Sequence, residues 1–306
     1  MYLPLVVIVG ATFLTHRYVP ESPIKSPARI NWTAAVLMTV GLAMVLFAVS
    51  EAPTWGWGSA RLLGLAAAGL VVTAAWVRVE LGARVPLVDM RMMALRGVWT
   101  TNLVAVLFGA GMYSSFILIP TFVQEPHSTG YGFGSSITTA GLFLLPSTMA
   151  MLIIGQLAGR LDRRFGSKPA LLAGSVFSIG CFALLAVAHA RAWEIYVASG
   201  FLGIGIGLAF AAMANLIVQN VNADQTGVAT GMNTVMRTLG GAFGSEVAAS
   251  ILAGDQGIGG HPTESAFVLA FVMCTGALIA SLAAGLAIPS RRRTAVGAEP
   301  SLAEAA

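Results

Sequence analysis

The chain has 306 residues, 57% of them hydrophobic and only 10% charged, against about 25% charged in an ordinary soluble domain. A core of this length cannot hide so much apolar side chain from water, so the composition excludes a soluble globular protein. The formal net charge of +4 does not signal nucleic-acid binding, because the basic residues fall in short runs between apolar segments and form no continuous face.

A helix that crosses hydrocarbon needs about 20 mostly apolar residues, since no water is present there to satisfy bare backbone groups. Tyr2–Leu14 comes first and is apolar but short of a full span. No positive segment precedes it and no small-residue cleavage site follows, so it reads as the tail of a membrane helix rather than a signal peptide. Eight full spans follow in order: Trp32–Ser50, Leu62–Val79, Val98–Val123, Ile137–Ala158, Pro169–Ala190, Trp193–Val218, Gly227–Leu252 and Ser265–Ile288. The predicted fold class is an all-α polytopic membrane protein.

The connections divide the basic residues unevenly. Alternate connections carry Arg17, Lys25 and Arg29; Arg78, Arg84, Arg91 and Arg96; Arg160, Arg163, Arg164 and Lys168; and Arg291, Arg292 and Arg293, fourteen in all. The intervening connections carry only Arg61 and Arg191. By the positive-inside rule the first set faces the cytoplasm, which places the C-terminus there and the chain in the plasma (inner) membrane. The six tryptophans, Trp32, Trp55, Trp57, Trp76, Trp99 and Trp193, fall at or near span ends, where an interfacial aromatic belt would put them.

Other features have plain structural readings. Cys181 and Cys274 lie within apolar runs and read as small buried hydrophobes rather than a disulfide or metal pair. GFLGIGIG (Gly200–Gly207) lies mid-span and follows no strand, so Gly203 and Gly207 read as helix-packing positions rather than a phosphate loop. The thirteen methionines read as core filler, with a share available to line an adaptable binding surface. His16, His127, His189 and His261 fall in connections or at span ends and lack the spacing of a catalytic metal site, so no metal is expected. With no nucleophile elbow or phosphate loop either, the chain is not expected to be an enzyme.

Gly227–Leu252 is the span that carries chemistry. Its two ionisable residues, Arg237 and Glu246, are costly in a bilayer unless they meet a wet cavity or a partner. At about 100° per residue, Asn233, Arg237, Gly240, Gly241 and Gly244 share one face, and Glu246 points the opposite way. Arg237 has two readings: an anchor to helix ends or backbone carbonyls, or a residue lining a transport cavity. Glu246 reads as structural or near the outer interface, with a proton-relay role as the alternative. Asn102, Tyr113, Ser114, Ser115 and Gln124 are further cavity candidates, whose alternative is hydrogen bonding between helices.

The stretch GRLDRRFGSK (Gly159–Lys168) reads as a cytoplasmic turn, and its pattern of Gly159, Arg164, Phe165, Gly166 and Lys168 resembles the loop signature of the major facilitator superfamily. Arg163 fills the slot where an Asp usually follows, and Asp162 comes one residue early. At Gly166 a side chain is expected to collide with the next helix. GFGSSITTAGLFLLP (Gly132–Pro146) and TGVATGMNTVMRTLGGAFG (Thr226–Gly244) resemble the eighth and eleventh core helices of the fourteen-helix drug:proton antiporter branch. Trp32–Ser50 and Leu62–Val79, with WGWG (Trp55–Gly58) between them, look like the two helices that this branch inserts between its halves. VPLVDMRMM (Val85–Met93) is similar to the segment leading into its second half.

The resemblance implies an organisation. Residues 1–30 hold the end of a truncated helix and a cytoplasmic connection, 31–97 the two linker helices, 98–290 the C-terminal six-helix bundle and 291–306 a disordered cytoplasmic tail. It also implies proton-coupled export of small hydrophobic or cationic molecules, with no cofactor beyond the proton as coupling ion. The implied partners are the lipid bilayer and a missing N-terminal half, and no nucleic acid. The alternative is an orphan half that does not transport but acts as a membrane scaffold or regulatory partner.

Overall fold

The computed structural model describes residues 2–18, 31–84 and 86–289. Its helices are α1 (Tyr2–Tyr18), α2 (Trp32–Ser50), α3 (Ala52–Trp55), α4 (Ala60–Gly82), α5 (Met90–Met93), α6 (Arg96–Gln124), α7 (Ile137–Phe143), α8 (Leu145–Phe165), α9 (Ser167–Val187), α10 (Ala192–Val218), α11 (Thr226–Gly254) and α12 (Glu264–Leu286). The chain divides at Ile30/Asn31 into two compact units. The first contains α1, a single 17-residue helix. Residues 19–30 and the expected tail at 291–306 lie outside the described residues.

The second unit runs from α2 onward. Its helices start where the sequence supplies an oxygen for the bare N–H groups of a first turn. Asn31, Ser59, Asp89, Ser136 and Thr263 each accept a backbone N–H in this way, at α2, α4, α5, α7 and α12. Among the described residues, seven segments are long and apolar enough to cross a membrane: α2, α4, α6, α7 with α8, α9, α10 and α12. The eighth expected span, α11, has ample length at 29 residues. It falls short in apolarity because glycine, threonine, Asn233, Arg237 and Glu246 take the place of aliphatic residues.

Two boundaries differ from those expected. Ile137–Ala158 is not one helix: it breaks at Leu144 into α7 and α8, because Pro146 has no N–H to carry the ladder across. The connection expected over Gly159–Lys168 shrinks to Gly166 alone, since α8 continues through Phe165 and α9 begins at Ser167. Gly166 has φ 88° and ψ 161°, a region essentially closed to other residues. A Cβ there would meet only Pro169, at 3.9 Å, so backbone strain and not the expected collision demands glycine.

In the bundle, α6 packs on α11 and α12, α10 packs on α8 and α9, and α9 packs on α12. Phe108, Phe122, Phe182, Phe267 and Phe271 fill the main core, with the free thiols of Cys181 and Cys274 buried among them. Ahead of these helices, α2 lies on α4 and reaches α11. Trp76 is buried with Ala34 and Met232, and its indole N–H donates to Glu80 Oε1 at 3.3 Å.

Candidate functional site

The face of α11 singled out by periodicity lies against α6 at backbone distance. Built on Gly240, a Cβ would stand 1.9 Å from the Val106 carbonyl oxygen; on Gly244, 2.3 Å from that of Ala110; on Gly241, 2.4 Å from the Tyr113 ring. From the other side, a Cβ on Gly109 would stand 2.2 Å from the carbonyl oxygen of Arg237. Small residues are what allow two membrane helices to meet so closely. Gly203 and Gly207 do the same for α10 on α8, against the Ser147 backbone and the Ile154 side chain.

Polar groups of this seam pair across it. Asn233 donates to Asn102 Oδ1 at 2.9 Å, and both side chains are buried. Ser114, Ser115 and Gln124 instead bond to carbonyls of their own helix, at Ala110, Met112 and Pro120. Arg237 emerges at the edge of the seam. Its guanidinium lies over the Phe210 ring of α10, 4.0 Å from the centroid, and beside Tyr113 of α6. Its Nε is buried without a hydrogen-bond partner. Glu246 is half-buried on the far side of α11. Three helices therefore converge on one mid-helix cation. Phe210 was not among the sequence candidates, since nothing marks one aromatic in an apolar span as the partner of an arginine 27 positions on.

At the end that carries the basic residues, Asp162 accepts the Ser167 hydroxyl, and Gln219 Nε2 donates to Ser167 Oγ at 3.0 Å. Lys168 Nζ donates to the carbonyls of Leu286 and Ile288 at 2.8 and 2.6 Å, capping the end of α12. Arg164 lies over the exposed ring of Phe165, 5.3 Å from its centroid. Gly159 and Arg163 lie in the last turns of α8. The segment thus ties α8, α9, α10 and α12 together.

At the opposite end the structure joins groups that the sequence keeps apart. His261 Nδ1 lies 2.8 Å from Glu125 Oε2, and His189 Nε2 lies 2.8 Å from Glu264 Oε1. Tyr131 donates to the Pro262 carbonyl and stacks on Phe122 at 5.6 Å. Burial, with the Glu125 carboxylate adding to it, pushes the Tyr131 hydroxyl up to about 12.

Known proteins resemble this arrangement at two levels. The fold matches that of a solved structure of a variant of the nucleoside transporter NupG, with a TM-score of 0.54 over 90% of this chain and 85% of that one, at 13% identity. In sequence, the chain is 31% identical over 266 residues to the cephamycin export protein CmcT of Amycolatopsis lactamdurans, covering 84% of this chain and 53% of that protein. It is 24% identical over 259 residues to the multidrug transporter protein MdtP of Bacillus subtilis (strain 168), covering 84% and 47%. The chain thus spans about half the length of the curated relatives it matches. Residues 77–245, from α4 through the glycine seam, match the family model itself, and the chain belongs to the Major Facilitator Superfamily, whose members are membrane transporters and not enzymes.

Proposed function

We propose that this chain forms the C-terminal part of a fourteen-helix major facilitator carrier that exports small, largely hydrophobic molecules against an inward flow of protons. The observation that carries this reading is the wall where α6, α10 and α11 meet, with Arg237 held mid-span on Phe210. A charge held at that depth marks a substrate or ion path more often than a structural joint. The relatives CmcT and MdtP, named for cephamycin export and multidrug transport, support the direction and the kind of cargo. The opposing wall is a second six-helix bundle, and the two rock about a site at the membrane midplane. The basic end faces the cytoplasm and brings residues 291–306 with it, in accord with the skewed distribution of Arg and Lys.

The test is export of a neutral dye, Nile red. Cells producing this chain together with the N-terminal bundle of CmcT should clear the dye faster than cells with either part alone, and a protonophore should abolish the difference. No protonophore-sensitive export, with both parts in the membrane at matched amounts, would overturn transport in favour of a membrane scaffold. A phosphatase reporter placed after Ala306 should stay inactive if the orientation holds.

A further inference from the structure

The charge of the wall bears on what it binds. Arg237 stands 11 residues into α11, about 17 Å by helical rise, too deep to snorkel to either surface. A guanidinium keeps its charge across the physiological range, so neutralisation cannot relieve the cost of burial. Among the described residues no carboxylate pairs with it, and its neighbours are the Phe210 ring and Tyr113. Glu246, the other ionisable side chain of α11, is nine positions on and turned away by half a revolution. Glu80, the buried carboxylate of α4, is already taken by Trp76 and by the Leu87 N–H. The wall therefore presents a fixed positive charge framed by aromatic faces: Tyr113, the exposed Phe116 packed edge-on against it at 6.3 Å, and Phe210.

We propose that Arg237, Tyr113 and Phe210 form a corner that reads negative charge, so that the carrier's cargo is an amphipathic aromatic molecule bearing a carboxylate or comparable acceptor. This rests on the transport wall proposed above and replaces the cationic cargo that family resemblance implies. A planar guanidinium offers two parallel donors that match a carboxylate, and stacking on Phe210 orients that fork. The rings accept a flat apolar body. A cationic drug at the same corner meets like charge with no carboxylate to offset it.

The test is binding, measured by calorimetry on this chain in lipid nanodiscs with three probes of one shape: naphthoate, naphthamide and naphthyl-trimethylammonium. Naphthoate should bind at least about tenfold more tightly than naphthamide, and the cation more weakly than either. Arg237→Gln should erase the preference for naphthoate over naphthamide. Arg237→Lys should keep part of it. Cation binding equal to or tighter than anion binding would overturn the proposal, on the wild-type chain and whatever the variants do. An anion preference unchanged in folded, monodisperse Arg237→Gln would overturn it as well. Because binding is read without transport, charge-selective binding with no dye export sinks the transport reading alone. Export with charge-blind binding sinks this one alone.

Discussion

Two parts of the bundle are matched in length and mean hydropathy yet live in different surroundings. The helix α6 and the broken pair α7–α8 each cover 29 residues, and an 18-residue apolar stretch of each has the same mean hydropathy, but 56% of that stretch is buried in the first and only 17% in the second. Hydropathy reports that a segment prefers lipid to water; it does not report what the segment touches. What separates the two is residue size at the facing positions. On α6, Val106, Gly109 and Ala110 meet Gly240, Arg237 and Gly244 of α11, in that order, backbone to backbone. On α8, Gly155 and Gly159 have nothing within 4 Å of a notional Cβ, and Met149, Leu152 and Ile153 are exposed.

The largest expected effect breaks this comparison directly. Gly240→Leu puts a branched side chain where even a Cβ would stand 1.9 Å from a backbone oxygen. The helices must separate, at a cost of about 3 kcal/mol or more. Gly155→Leu, in a helix of equal hydropathy, should cost less than about 0.5 kcal/mol. Thermal unfolding of the two variants in detergent checks the contrast, and similar losses would show that the seam is not where α6 gains its stability.

Next comes Arg237→Ala, which should cut export by at least about tenfold in a carrier assembled with its second bundle while leaving membrane abundance near normal. Near-normal export would make the Arg237 face ordinary packing. Arg237→Lys divides the remainder: large recovery means charge suffices, little recovery means the planar fork matters.

These sites differ in how far they were legible in the sequence. The spans themselves were, because a 20-residue apolar run is a one-dimensional signal. The depth of Arg237 and its shared face with Gly240 and Gly244 followed from helical periodicity alone. Its seat on Phe210 did not, because α10 and α11 are placed by packing that no local pattern encodes. The His261–Glu125 and His189–Glu264 pairs failed for the same reason, the partners being 136 and 75 positions apart. Gly159–Phe165 misled in the opposite direction. Its charges read as a loop, yet charged residues are good helix formers, and a last helical turn that has left the hydrocarbon can carry them.

Two smaller effects sharpen the picture at the basic end and in the seam. Gly166→Ala should cost about 1–3 kcal/mol through its backbone conformation, although the site has room for the methyl group. A loss no larger than that of Gly159→Ala would mean the turn relaxes to an ordinary geometry. Asn233→Ala removes the bond to Asn102 and should cost about 0.6–2 kcal/mol. Asn102→Ala should cost a similar amount, and the double variant less than the sum.

The smallest effect lies in the connection between α6 and α7, where its signature is a dependence on pH. Tyr131 is held by its bond to Pro262 and its stacking on Phe122, and its hydroxyl is raised from 10.0 to about 12. A raised value means the folded state favours the neutral phenol. Its contribution is therefore complete below pH 10 and lost as the pH climbs from 10 through about 12. Tyr131→Phe keeps the ring stack and deletes both the bond and the titration. At neutral pH the variant should be about 1 kcal/mol less stable. Between pH 10 and 12 the wild-type melting temperature should fall faster, so that the two curves converge. The other four tyrosines are common to both proteins and cancel in the difference. Curves that stay parallel across that range would show that the hydroxyl is hydrated in the folded chain and that Glu125 and the Phe122 ring leave it open to water.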